Sequence, residues 1–446
     1  MGGSSSAVTA GTLAADGGRH GDSAGKTGSA GGAGVSLAAG AGDVSRVNSD
    51  PAYVNLAPPM GAPLDGVGKE LTPPAPDGWV WYDIAGAICR DGSATGFYVH
   101  MGTDSRLLIY LEGGGACSND HFCAFNPANV DTVLAGDGQT VIGTTLGAIP
   151  GRQQPGVYTQ AAHDGAPAGI FELSNPANPF KDWSQIYIPY CTGDVFFGTK
   201  RDGSVPGLSH QQFVGHLNMK LFMSRIVPTF KAKVSRVILT GASAGGFGVA
   251  LNYSMVQDSF GNVPVDAIDD SGPPFADEFM PVCMQQRWRE HWGFDASLPP
   301  DCADCRQADG GGLINLATFL LKKHPRAQLA LISGMQDEVI RLFYSVGLKD
   351  CADYDTADPV AITLGQLLDP SVLMAAETYT DGLNELRARY QGTGRLATFY
   401  VGGANPNLHQ HLFRPEFYSG DFGELTQFVT DFLNGKVQQV GPQPTP

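Results

Sequence analysis

The apolar residues of this chain fall into short unbroken runs separated by glycine-rich or polar stretches, and those runs set the expected architecture. Leu107-Leu108-Ile109-Tyr110-Leu111 has no polar interruption, the pattern of a strand buried on both faces. Residues 185–190, 236–240, 263–268, 328–332 and 396–401 are further apolar-rich runs that read as strands. Residues 79–84 and 96–101 also have strand composition, and the turn residues Arg90-Asp91-Gly92-Ser93 between them predict an antiparallel pair. Over 211–230, Phe213, Leu217, Leu221, Met223 and Ile226 recur near helical spacing, with Pro228 marking the end. Further helices are expected from Gly246 onward, over 371–390 and over 424–433.

Strands alternating with helices after an antiparallel start predict an α/β fold, with a mostly parallel central sheet flanked by helices on both faces. Two stretches, 120–181 and 273–312, lack clear periodicity and are too long for ordinary connections. They are expected to be insertions that form a lid and pocket walls.

Composition changes this picture mainly at the ends. Residues 1–50 are almost all Gly, Ala, Ser, Thr and Asp without an aromatic, which describes a disordered tether. A Pro-rich extended lead-in is expected over 51–78, the folded domain over 79–436 and a flexible tail over 437–446. Lys plus Arg is 28 against 44 Asp plus Glu, a net charge of −16, which argues against nucleic acid and anionic membrane surfaces as partners. No run approaches the ~18 apolar residues of a membrane span. A monomer is expected.

The eight cysteines lack the paired spacing of a zinc ribbon and read as disulfides of an exported protein. Cys302 and Cys305 suit a small loop staple, and the eight cysteines together allow 105 pairings, among which the sequence does not choose. The glycine-rich leader ahead of a cysteine-bearing domain predicts the mature form of a secreted, periplasmic or surface-tethered bacterial protein. A plain disordered tail is the alternative.

Chemistry enters at Gly241-Ala242-Ser243-Ala244-Gly245. This Gly-x-Ser-x-Gly follows the apolar run 236–240 and opens a small-residue helix, the setting of a nucleophile elbow with Ser243 at its tip. A serine needs a histidine to take its proton and an acid to orient that histidine. Asp337 lies in the loop just past the run 328–332, and His409 lies in the loop after 396–401. The order Ser243, Asp337, His409 is that of α/β-hydrolases, each residue following a strand.

Plainer readings stand beside these. Asp337 could be an N-cap, and His411 could be the base instead. His409 is favoured because it is nearer the strand end and leaves Leu412 free to pack. As metal ligands His409 and His411 lack a third partner of clear spacing, so neither metal nor cofactor is expected. Gly113-Gly114-Gly115 after the 107–111 strand suits an oxyanion loop, with the Ala244 amide as its partner.

Leu111-Glu112-Gly113-Gly114-Gly115-Ala116-Cys117, Tyr190-Cys191-Thr192-Gly193-Asp194, Gly241 to Gly246 and Asp270-Ser271-Gly272 together resemble the motifs of the pectin acetylesterase and Notum family, in matching order. The resemblance implies a serine carboxylester hydrolase with Ser243, Asp337 and a histidine as triad and the amides of Gly114, Gly115 and Ala244 as oxyanion hole. Two positions depart from it: Gly115 stands where Notum has an aromatic residue, and His409-Gln410-His411 stands where plant members have His-Cys-Gln.

Plant members act on acetylated pectin and Notum on a long acyl chain, so the substrate does not follow from the family. A short-chain acyl ester, acetyl above all, is expected, with acetylated polysaccharide a candidate. A lipase or polyester depolymerase with apolar walls at Phe196-Phe197 and 122–125 is the first alternative. A non-catalytic surface-binding protein on a hydrolase scaffold is the second.

Overall fold

The computed structural model describes residues 68–72, 78–124, 126–130, 168–352, 373–403, 405–422 and 424–442. The expected tether at 1–50, most of the lead-in and the middle of the 120–181 stretch lie outside them.

Nine strands form one sheet: β1 (Trp79–Ile88), β2 (Ala94–His100), β3 (Arg106–Leu111), β4 (Ser184–Ile188), β7 (Arg236–Ala242), β8 (Val265–Asp270), β9 (Leu329–Gly334), β10 (Leu396–Val401) and β11 (Gln439–Val440). Their order is β1-β2-β4-β3-β7-β8-β9-β10-β11. β1 to β2 and β2 to β4 run antiparallel, and every later pairing is parallel. This is the α/β architecture expected. β11 lies within the stretch read as a tail and pairs with β10 through Thr398 and Phe399.

Alternation along the strands divides the core. Leu107, Ile109 and Leu111 of β3 join Val237 and Leu239 of β7 on one face, under helices α1 (Gly215–Phe230) and α2 (Ala244–Phe260). Leu108 and Tyr110 join Ile238, Ile332 and Phe399 on the other, where a late helix, 425–433, contributes Leu425, Phe428, Val429 and Phe432. Both faces being covered explains why the central strands read as unbroken apolar runs.

Three stretches differ from their expected form. Residues 211–213 belong not to the helix but to β6 (Leu208–Phe213), which forms a separate hairpin with β5 (Lys200–Val205). Pro206-Gly207 between them, with Gly207 at φ +78°, has the Pro-Gly chemistry of a type II turn. Pro228 sits inside α1, which runs on to Phe230. The 273–312 stretch contains α3 (Val282–Trp292), whose buried Met284, Trp288 and Trp292 are spaced by four residues within an otherwise polar sequence. β8 ends two residues later than expected because Asp269 and Asp270 belong to it.

All eight cysteines pair, as Cys89–Cys191, Cys117–Cys123, Cys283–Cys351 and Cys302–Cys305. The last is the loop staple expected. The first ties the end of β1 to the loop after β4.

Asp194, in that loop, anchors the start of α1. Its Oδ2 accepts from the Gly215 amide at 2.7 Å and its Oδ1 from the Thr192 hydroxyl at 2.6 Å. Burial pushes its carboxyl up to about 6, against the downward pull of these donors. An acid with a raised folded pKa contributes stability that is complete below about 3.9 and lost as pH rises through 6, about 3 kcal/mol in all. Asp194→Asn imitates the protonated acid, its N–H facing Thr192 and its oxygen Gly215. Urea unfolding at pH 4 and pH 8 should therefore show the variant gaining about 3 kcal/mol on the wild type between the two.

Candidate active site

Register brings the functional loops to one rim. Leu111 pairs with Gly241 and Gly241 with Asp269, while Asp270 pairs with Ile332 and Ile332 with Phe399. The loops that leave these parallel strands therefore emerge at their common carboxyl edge, where ligands of open α/β sheets bind.

Ser243 occupies the step between β7 and α2 at φ 57° and ψ −119°. This is strained for a residue with a side chain, at a cost of order 1–3 kcal/mol. Two contacts hold it. Its amide donates to the Asp270 carbonyl at 2.8 Å, and its own carbonyl accepts from Phe247 at 3.0 Å. The turn requires small neighbours: a Cβ at Gly245 would lie 2.0 Å from the Leu111 carbonyl oxygen.

Asp337 follows β9 and caps α4 (Glu338–Ser345). Its Oδ1 accepts from the amides of Val339 and Ile340, both at 3.0 Å. Its Oδ2 lies 2.7 Å from Nδ1 of His409. The N-cap reading and the triad reading of Asp337 thus use different oxygens of one carboxylate. The carboxylate is fully buried, so the cap fixes its orientation toward the imidazole.

The two histidines of the 409–411 loop have separate partners. His411 is fully buried, with Nδ1 2.8 Å from Asp270 Oδ1 and its ring edge-on to Phe422. Asp270 Oδ2 also accepts from the amides of His411 at 2.6 Å and Leu412 at 2.8 Å. Burial pushes the Asp270 carboxyl up, but His411 and these amides more than offset it and hold it below the usual carboxylate range.

Asp270, Ser271 and Arg414 are the residues that sequence reasoning gave no role. The Ser271 hydroxyl takes the Gln410 amide at 3.0 Å, and Arg414 donates to the carbonyls of His409 and Gln410. Asp270 therefore fixes the Ser243 backbone through its carbonyl and the histidine loop through its carboxylate. The signal was the paired acids closing an apolar run. Asp270→Ala leaves an imidazole and two amides buried without partners and should cost about 3–5 kcal/mol in urea unfolding.

The glycine loop is held from behind. Glu112 accepts from the Tyr187 hydroxyl at 2.7 Å and the Tyr190 amide at 2.8 Å. The Gly114 carbonyl accepts from Asn126 Nδ2 at 2.5 Å. Because a trans peptide points its C=O and N–H in opposite directions, this bond turns the Gly115 amide away from Asn126. Gly115 has φ +77°, and a Cβ there would lie 3.1 Å from the ring tip of Phe343. Ala244 is the first residue of α2, where an amide has no partner within its helix.

A sequence model of the pectinacetylesterase family matches residues 152–298. Palmitoleoyl-protein carboxylesterase notum2 of Xenopus laevis is 27% identical over 198 residues, covering 41% of this chain and 34% of that protein. Pectin acetylesterase 4 of Arabidopsis thaliana is 27% identical over 186 residues, covering 41% of this chain and 39% of that protein. The alignments thus span between a third and two fifths of the length of these relatives.

In three dimensions, two crystal forms of the Drosophila Wnt deacylase Notum match with TM-scores of 0.50 and 0.51. They do so at 17% identity over 83% of this chain and 97% or 98% of theirs, a likeness of fold. The shared fold is the α/β-hydrolase. Among the described residues no helix is long and apolar enough to cross a membrane. Its sequence motifs, the family match and these relatives agree, and over about two fifths of its length the chain is similar to the pectin acetylesterase and Notum family.

Proposed function

We propose that this protein is a secreted serine carboxylesterase that hydrolyses short-chain acyl esters, acetyl above all, by a Ser-His-Asp acyl-enzyme mechanism. Two observations support the reading: the 2.7 Å contact of His409 Nδ1 with a capped, buried Asp337, and the strained backbone of Ser243 at a strand-to-helix elbow.

With Nδ1–H donating to Asp337, the Nε2 nitrogen of His409 is unprotonated and serves as the base. Ser243 loses its proton to that nitrogen as its oxygen attacks the ester carbonyl. The amides of Gly114, Gly115 and Ala244 take the charge that develops on the carbonyl oxygen. His409 returns the proton to the leaving alcohol, which leaves an acyl-Ser243. Water, deprotonated by the same imidazole, then releases the acid. Every proton transfer falls to side chains of this chain, so the scheme calls on no cofactor.

Room near the glycine loop supports a short acyl group. The Phe343 ring fills the space in front of Gly115 and packs on Phe122, with ring centroids 5.2 Å apart. The pairing of all eight cysteines supports an oxidising, extracytoplasmic compartment. An acetylated polysaccharide fits as acyl acceptor.

A chain-length series of p-nitrophenyl esters tests the proposal. kcat/KM should fall sharply beyond butyrate, and Phe343→Ala should move the fall to longer chains by about tenfold at octanoate. A wild-type maximum at long chains would replace the esterase with a lipase. No turnover of any ester would favour a binding protein on a hydrolase scaffold.

A further inference from the structure

Gln410, between the two histidines, is built at a cost that its loop alone does not explain. It is 1% exposed, and it holds a left-handed φ of 63° although it carries a side chain. Its Oε1 is buried with no donor among the described residues. A buried carbonyl without a partner and a residue in left-handed backbone each cost free energy, and both costs concentrate at functional sites.

The backbone of Gln410 is over-determined, with its amide on Ser271 Oγ and its carbonyl on Arg414 Nε. The side chain is thereby aimed at one place. The point where a Cβ on Gly113 would sit is 2.4 Å from Gln410 Nε2 and 3.1 Å from the Cβ of Ser243. The primary amide therefore lies against the glycine loop close to the nucleophile, and the Ala242 carbonyl oxygen, 2.8 Å from the same point, also requires glycine at 113.

An ester offers only acceptor oxygens, whereas the alcohol that leaves and the water that attacks each bring an O–H. A primary amide matches both, donating through N–H and accepting through C=O. We propose that Gln410 contacts the reacting group directly, its Nε2 donating to the ester as it becomes tetrahedral and its Oε1 accepting from the leaving or attacking hydroxyl. This rests on the carboxylesterase reading above. It adds a catalytic residue to the three of the triad.

Gln410→Met keeps the length of the side chain and removes both hydrogen-bonding functions. With p-nitrophenyl acetate its kcat should fall about 10²-fold, the loss typical of one transition-state donor, while KM changes less than about threefold. The affinity of a trifluoromethyl ketone, which forms a tetrahedral adduct with a catalytic serine, should fall in step with kcat/KM. A purely structural role would lower the melting temperature and leave those two quantities uncorrelated.

A folded Gln410→Met enzyme with kcat within about threefold of wild type would overturn the proposal. Should that variant fail to fold, Gln410→Glu decides: it keeps the acceptor and loses the donor, so full activity would overturn the proposal and a large loss would support it. Wild-type protein inert toward every ester would sink the carboxylesterase reading itself, an outcome distinct from any difference between the variants.

Discussion

Ser243→Ala should leave the fold intact and lower ester turnover by about 10⁶-fold. The methyl side chain of alanine fits the elbow, since the strained backbone is held by the Asp270 carbonyl and the Phe247 amide rather than by the serine side chain. What disappears is the only atom of the elbow able to form an acyl bond. The residual rate would come from the glycine-loop amides and from substrate binding. Melting temperature and kcat measured on one preparation check both halves of this expectation. A loss of activity that tracked a loss of structure would contradict it.

Asp337→Asn should be nearly as damaging, for a reason the two oxygens make explicit. Oδ1 is committed to the Val339 and Ile340 amides, so an asparagine must keep its carbonyl oxygen there and place its NH₂ where Oδ2 faces His409. That NH₂ can only donate, so it would force His409 to carry its proton on Nε2, the nitrogen that must be free to accept one from Ser243. Turnover should fall about 10⁴-fold with little change in stability, because the cap survives. Asp337→Ala loses the cap as well and should cost about a further 1 kcal/mol in unfolding. Similar activity in Asp337→Asn and wild type would show that the contact orients nothing.

The candidates Ser243, Asp337 and His409 are legible in the sequence because each stands just past an apolar run. Runs of that kind become interior parallel strands, whose carboxyl ends share one rim. The choice between His409 and His411 is not legible, since it depends on which carboxylate each imidazole meets across a sequence separation of 72 or 141 residues. Asp270 escapes for a related reason. A buried carboxylate reads as a strand end until its donors are known, and those donors come from the far end of the chain.

The hairpin of β5 and β6 is hidden by its polar composition, and its last residues blend into the helical pattern of α1. The turn Pro206-Gly207 was the available signal. In α3 only Met284, Trp288 and Trp292 mark the apolar stripe, too few positions for periodicity to stand out from the charged residues around them.

The proposed chemistry requires that Ser243 be a nucleophile activated by His409. Treatment with a fluorophosphonate, followed by digestion and peptide mass mapping, tests it most directly, with the His409→Ala variant alongside. A single phosphonyl adduct is expected on the peptide that contains Ser243, with near-complete loss of it in the variant. Ester turnover by a protein whose Ser243 stays unlabelled, or labelling that is indifferent to His409, would contradict it.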